Sequence, residues 1–225
     1  MRNSIEIFNN TLALLRANSL VNIRTADIAD PVSPDVISRV EELMNVYLSD
    51  EIKDFYLSSN GFTIEWQIDA SNSEPEMYGW INIWTLETMI AGENGDLDIN
   101  EDSLKLVFEE MLILDHHEDE ERAELEKHRI LESHWGTASY TTVRFEQQEG
   151  ISLYFVDNYQ QYRLPLNFSA YIEFTAESLG LDGCRSGLKH KDFFKNPYLF
   201  DKRLQKLKTI FPSTDLCKIP SFCSK

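Results

Sequence analysis

The clearest pattern in the chain is an alternation of large apolar and polar residues between positions 62 and 68. In a β-strand, this period of two places the apolar side chains on one face and the polar side chains on the other. The pattern therefore predicts a strand with one buried face and one solvated face. The apolar positions are Phe62, Ile64, Trp66 and Ile68.

A short helix is predicted directly before this strand. Ser49 is a favourable N-cap residue, and Asp50 and Glu51 place negative charge in the first turn, where the helix dipole favours it. Asn60 and Gly61 both tolerate positive φ, so we expect the helix to end in a left-handed cap. The apolar stripe of this helix comprises Ile52, Phe55 and Tyr56.

Helical spacing of apolar residues predicts five further helices. Ser33 followed by Pro34, and Asn196 followed by Pro197, are typical helix starts because serine and asparagine cap the helix and proline fits its first position. The predicted segments are 5–15, 32–47, 85–90, 167–183 and 196–212.

Four further segments have the character of strands. Residues 77–86 carry apolar groups on both faces, which indicates a central strand or one covered on both sides. Residues 141–146, 151–158 and 159–166 follow one another across short turns, which is typical of an antiparallel meander. Together with the helices, these strands predict an α+β fold in which helices pack against a mostly antiparallel sheet.

The stretch from 93 to 134 does not fit this pattern. Its residues 93–126 include fourteen acidic and two basic side chains, a net charge of −12. We interpret 93–134 as an acidic insertion in a single domain spanning 1–225, since its helical part has almost no apolar face. Residues 185–225 are opposite in charge, with ten basic and three acidic residues. We expect them to form a basic C-terminal helical extension.

The composition is that of a folded and strongly acidic chain. Apolar residues make up 42% of the 225 residues, and the formal net charge is −17. Such a charge repels DNA and RNA and favours a basic protein partner. No stretch approaches the ~20 apolar residues that a membrane-spanning helix needs, and the first residues lack the continuous apolar core of a secretion signal. We therefore expect a cytoplasmic protein that binds neither nucleic acid nor membranes.

No common catalytic or cofactor motif is present. The glycine-rich phosphate and dinucleotide loops, the serine-nucleophile motif and the zinc-hydrolase motif are all missing from the sequence. His117 and Glu121 could share a helix face and hold a metal, but a solvated acidic face is the commoner explanation of such a stretch. We therefore predict no catalytic, cofactor or metal site.

The region around the predicted short helix resembles the SUKH superfamily. That superfamily has a glutamate on one helix, a Leu-Pro pair, a Phe-Leu on the next helix and an Asn-Gly before the first strand. Ser49 stands where the superfamily usually has proline. Residues 167–180 are similar to its closing helix, so the resemblance covers roughly 30–92 and 140–180. The matching positions are Glu41 or Glu42, Leu48, Phe55, Leu57, Asn60, Gly61 and Trp66.

The resemblance implies a Smi/Knr-like fold, no catalytic residues and a function in binding another protein. The superfamily includes the Smi/Knr-type regulators of yeast cell-wall synthesis, the bacterial Syd protein and many immunity proteins of polymorphic toxin systems. An immunity protein would bind a toxin domain, and a basic nuclease toxin would be attracted to an acidic binder. The alternative is a cytoplasmic scaffold or regulatory adaptor that binds a resident protein. The expected partner-binding residues are Trp80, Asp115, Glu118, Asp119, Glu120, Glu121 and Glu124.

Overall fold

Seven antiparallel strands form one sheet in which each strand lies beside its neighbour in the sequence. The computed structural model describes residues 3–69, 76–91, 127–133, 139–146, 150–157, 160–190, 192–193, 195–199 and 202–218. The strands are β1 (Asn22–Ile28), β2 (Phe62–Ile68), β3 (Met77–Ile83), β4 (His128–Ser133), β5 (Ser139–Glu146), β6 (Gly150–Asp157) and β7 (Gln160–Arg163).

Helices pack against this sheet, which confirms the α+β prediction. Phe8 and Phe62 bring helix and sheet together with ring centroids 5.7 Å apart, and Phe55 meets Phe168 of a neighbouring helix at 5.3 Å. None of the described helices has the length and hydrophobicity to cross a bilayer. The helices are α1 (Ser4–Arg16), α2 (Pro34–Met44), α3 (Asp50–Ser58), α4 (Leu86–Ala91), α5 (Phe168–Glu177) and α6 (Lys202–Ile210).

The predicted alternation in β2 is confirmed. Its four apolar side chains are buried and the three polar ones between them are half-buried. β3 repeats this arrangement, with Ile81 and Ile83 in the core and Trp80 on the opposite face. The two strands therefore have a core face, covered by helices, and an outer face.

Two strands differ from the sequence-based expectation. β1 was not predicted. It lies beside β2 at the edge of the sheet, and its residues are exposed or half-buried, so it has no row of buried apolar positions that would indicate a strand. β4 lies within the stretch 93–134 that we interpreted as an acidic insertion. Residues His128–Ser133 of that stretch therefore belong to the sheet. The misassignment arose because five of the six β4 residues are buried, which leaves no alternation to detect. Residues 93–126 lie outside the described part of the chain.

The exit from α3 also differs from the expected left-handed cap. Ser59, the C-cap, is extended, and Gly61 rather than Asn60 has positive φ, at 86°. The Asn60 side chain accepts a hydrogen bond from the Leu86 N–H (2.8 Å) and donates one to Glu87 (2.6 Å). The Asn60 amide thus fixes the start of α4 against the turn that begins β2.

The basic C-terminal region contacts the core through its apolar residues. α6 buries Leu204 and Leu207, and Phe211 just beyond it packs edge-on against Trp66 with centroids 5.9 Å apart. The helix predicted from Asn196 is interrupted: a 3-10 turn, Pro197–Leu199, precedes α6. The Trp66 indole N–H donates to the Leu179 carbonyl at 2.7 Å.

β3 and β4 pair only at one end, so the sheet is split between them. Their ladder consists of Ile83 opposite Glu132. Further along β3, the Gly180 carbonyl accepts from the Trp80 N–H at 2.8 Å, and Leu181 forms an isolated bridge with Gly79. The segment after α5 therefore occupies the place that β4 would otherwise have beside the first half of β3.

A buried ion pair fills the split. The Arg185 guanidinium binds both carboxylate oxygens of Glu132, with Nε 3.0 Å from Oε2, and also donates to the Trp80 carbonyl at 3.0 Å. The Tyr171 hydroxyl donates to the same carboxylate. Burial, the largest single influence, disfavours the charged guanidinium, but the attractions of Glu132, Tyr171 and Cys184 together outweigh it, so the pKa of Arg185 is raised. Burial and the Glu132 charge raise the pKa of Tyr171.

Candidate partner-binding face

The outer face of β1, β2 and β3 carries the candidate site. Residues directly opposite one another in a sheet share a face, and the register places Asp27, Thr63 and Asn82 in one row across the three strands. The Thr63 hydroxyl donates to the Asn82 side-chain oxygen at 3.0 Å. The Asn82 amide donates in turn to the Ser133 hydroxyl of β4 at 3.1 Å. A hydrogen-bonded polar row thus crosses one end of the outer face.

A second row places an aromatic residue beside a carboxylate. Thr25, Glu65 and Trp80 lie opposite one another in the register. The Thr25 hydroxyl is 3.4 Å from Glu65 Oε2, and Arg24 reaches the other carboxylate oxygen at 3.9 Å. The Trp80 side chain is half-buried, and its indole N–H has no hydrogen-bond partner among the described residues.

A cleft of about 440 Å³ opens at the end of the polar row. Its volume lies in the range typical of ligand sites, about 300–1,000 Å³. Asp27, Thr63 and Asn82 line the cleft together with Phe62 and Trp84, so its walls include both polar and apolar residues. Its further lining residues are Ile28, Ala29, Asn60, Gly61, Ile83, Thr85, Thr88 and Ser133.

The hydroxyl and amide groups of the cleft are held in place by one another. At the start of α4, the side-chain hydroxyls of Thr85 and Thr88 form a hydrogen bond of 2.8 Å. The side chains of Thr63 and Asn82 form another in the sheet. The hydroxyls of Thr63, Ser133, Thr85 and Thr88 each bond to another neutral side chain. The arrangement suits a rigid contact surface.

Of the expected partner-binding residues, Trp80 belongs to this face, and the six acidic ones fall outside the described ranges: Asp115, Glu118, Asp119, Glu120, Glu121 and Glu124. The metal candidates His117 and Glu121 lie outside them as well. Within the described ranges, no group of three or more histidine, cysteine, aspartate or glutamate side chains is placed to hold a metal ion.

The residues that carry the resemblance have structural contacts. The Leu48 N–H donates to Glu41 at 2.8 Å, which holds the loop between α2 and α3. Leu48, Phe55 and Trp66 are fully buried. Gly61 leaves no room for a side chain, because a Cβ there would lie 2.8 Å from the Trp84 carbonyl oxygen and closer still to that of Ile83.

Sequence reasoning missed Asp27, Glu65 and the cleft. Asp27 and Glu65 are ordinary exposed or half-buried carboxylates in the sequence, and only the register of β1 on β2 brings them onto one face with Trp80. The alternation in β2 was the available signal, since it predicts that Thr63, Glu65 and Gln67 share a face.

No known protein-family model and no curated protein matches this sequence.

Proposed function

We propose that the chain is a non-catalytic protein-binding module that acts in the cytoplasm as an immunity protein, neutralising a basic toxin domain by direct contact. The observation that carries the proposal is the outer face of β1–β3, where the half-buried Trp80 lies beside Glu65 and a cleft rimmed by Asp27. Tryptophan is among the residues most enriched at the energetic centres of interfaces. Carboxylates around it favour a basic partner.

The overall charge supports the same partner chemistry. At −17, the chain attracts a basic domain over long range and accelerates the encounter, with an effect that weakens as salt is added. Many toxin domains are nucleases whose clefts bind phosphates, so an acidic protein matches the charge that such a cleft receives. The acidic stretch 115–124 is proposed to take part in this attraction.

The resemblance to the SUKH superfamily supports a binding role. An antiparallel sheet with helices packed against it is compatible with the Smi/Knr-like fold that the resemblance implies. Glu41, one of the two candidates for the glutamate of the superfamily motif, accepts a hydrogen bond from the Leu48 N–H and so stabilises the loop before α3. The immunity branch of the superfamily matches the acidic charge best, and we propose it over the adaptor branch for that reason.

The proposal is tested by expressing the C-terminal domain of the neighbouring reading frame in a host, with and without this chain. We expect that domain to arrest growth, the chain to restore growth, and the two proteins to purify as a complex. Toxicity that the chain neither relieves nor binds would overturn the immunity role. Absence of toxicity would also overturn it and would favour the adaptor alternative.

Variants of the outer face make the test specific. Asp27→Asn removes one negative charge from the outer face. Glu6→Gln is the control, since it removes one negative charge from the first turn of α1 instead. We expect Trp80→Ala and Asp27→Asn to weaken rescue and complex formation, whereas Glu6→Gln leaves both unchanged.

A further inference from the structure

Tyr47 has an aromatic side chain that is exposed to solvent but fixed by a neighbouring side chain. It lies in the loop between α2 and α3 and is 73% exposed, the highest value among the large apolar side chains of the described residues. Leu48, the next residue, is fully buried, so the loop itself is anchored. Asn45 turns the chain out of α2 in the left-handed conformation, with φ of 49°.

The Tyr47 ring is held by a charged side chain that is itself fixed. Lys53 Nζ lies 3.8 Å from the centre of the ring. The same ammonium group forms an ion pair with Glu41 at 2.7 Å, and both side chains are only 19% exposed. Glu41 Oε1 also accepts the Leu48 N–H at 2.8 Å. The Glu41 hydrogen bond chiefly, and Tyr47 in addition, raise the pKa of Lys53. Three contacts in series therefore fix the orientation of an exposed ring.

This order has a consequence for binding. An exposed tyrosine normally loses rotational freedom when a partner covers it, and that loss weakens the complex. Here the cation–π contact limits that freedom before the partner arrives. Tyrosine is also one of the residues most often found at the energetic centre of interfaces. A fixed, exposed Tyr47 has the properties of an anchor residue.

The surroundings of Tyr47 indicate the chemistry of the partner. Asp50, Asp54 and Leu57 recur at helical spacing on the exposed side of α3, and Leu57 is 38% exposed. Glu42, at the end of α2, is exposed as well. An aromatic group with carboxylates around it complements an apolar pocket with basic residues at its rim.

We propose that Tyr47 anchors a docking surface, formed by the loop and the exposed side of α3, for a basic protein that receives the ring in an apolar pocket. The proposal rests on the basic partner of the proposed function and adds a second contact region to it. α3 packs on the core face of the sheet, where the Phe55 and Phe62 ring centroids are 6.4 Å apart, so its exposed side and the outer face of β1–β3 lie on opposite sides of the sheet. A partner that contacts both regions must reach around the edge of the sheet.

Binding kinetics of the purified chain with the C-terminal domain of the neighbouring reading frame test the proposal. We expect Tyr47→Ala to weaken the affinity at least tenfold, mainly through faster dissociation. Tyr47→Phe keeps the ring and should stay within threefold of wild type. Leu20→Ala removes another large apolar side chain that is 56% exposed and should not change the affinity.

Lys53→Met separates orientation from charge. Removal of a positive charge makes the chain more acidic, so general attraction to a basic partner would strengthen binding. We expect the opposite, a threefold or greater loss of affinity, because the ring is released. The same substitution should have no further effect in a Tyr47→Ala background, since Lys53 acts on the partner through the ring.

The outcomes separate this proposal from the function on which it rests. If wild type binds and Tyr47→Ala binds equally well, the anchor is wrong and the proposed function stands. If wild type does not bind, the proposed function is wrong and the anchor falls with it. Urea unfolding of each variant excludes loss of folding as the reason for weaker binding.

Discussion

Glu132 and Arg185 are 53 residues apart in the sequence and form an ion pair buried in the gap between β3 and β4. Arg185 donates to the Trp80 carbonyl, and the Asn82 N–H lies 3.4 Å from Glu132 Oε1. These are backbone groups of β3 that a continuous β4 would have satisfied. The side chains thus replace ladder hydrogen bonds where the sheet is split, and the Trp80 carbonyl and the Asn82 N–H keep a partner there.

Arg185→Met is predicted to destabilise the protein severely. It leaves the Glu132 carboxylate buried without its counter-charge, which typically costs about 3–5 kcal/mol. Arg203, whose partly exposed side chain pairs with Asp182 at 2.9 Å, provides the control. Urea unfolding should show that Arg203→Met costs about 1 kcal/mol or less. Equal effects of the two substitutions would contradict a structural role for the buried pair.

Gly61→Ala is predicted to destabilise by about 2–4 kcal/mol, because φ is positive there and the added Cβ meets the carbonyls of Ile83 and Trp84. Asn45→Gly is the matched control, since Asn45 also has positive φ but is exposed. Its unfolding free energy should change by about 0.5 kcal/mol or less. A Gly61→Ala variant as stable as wild type would show that the turn before β2 can rearrange.

The ion pair of Asp157 and Lys189, 2.8 Å apart, should make stability depend on pH. The Lys189 hydrogen bond lowers the pKa of Asp157 below 3.8, and the Asp157 hydrogen bond raises the pKa of Lys189 above 10.5. The Asp157 contribution is therefore present above about pH 4 and is lost as the pH falls through its folded pKa. The Lys189 contribution is lost as the pH rises through its own folded pKa.

Unfolding of wild type and Lys189→Met at several pH values measures this contribution. Wild type should be more stable by about 1 kcal/mol at pH 7, and the difference should shrink below pH 4. A difference that persists unchanged at pH 2 would show that Lys189 stabilises through packing instead of charge.

Charge reversal in the acidic stretch tests its part in steering. Replacement of Asp115, Glu118, Asp119 and Glu121 by lysine should slow association with the partner about tenfold or more at low salt. The dissociation rate should change much less. If the association rate and its salt dependence are unaltered, the stretch contributes to solubility and not to partner attraction.

The sequence predicted those elements whose pattern is local. β2 could be predicted because its apolar side chains face the helices on one side only, which produces the alternation. α2 could be predicted because Ser33 and Pro34 mark its start. β4 was not readable, because both of its faces are buried. The pairing of Glu132 with Arg185 depends on tertiary contacts across 53 residues, and no local pattern indicates it. The same holds for Asp27 and Glu65, which only strand register brings together.

The most direct measurement of the proposed function is the association rate of the chain with the neighbouring frame's toxin-like domain at increasing ionic strength. We predict a rate that falls steeply with salt, and a threefold or greater reduction at low salt in the double variant Asp27→Asn/Glu65→Gln, with the difference disappearing at high salt. Glu6→Gln should match wild type throughout. A rate that is independent of salt, or identical in the double variant, would contradict binding of a basic partner at the outer face.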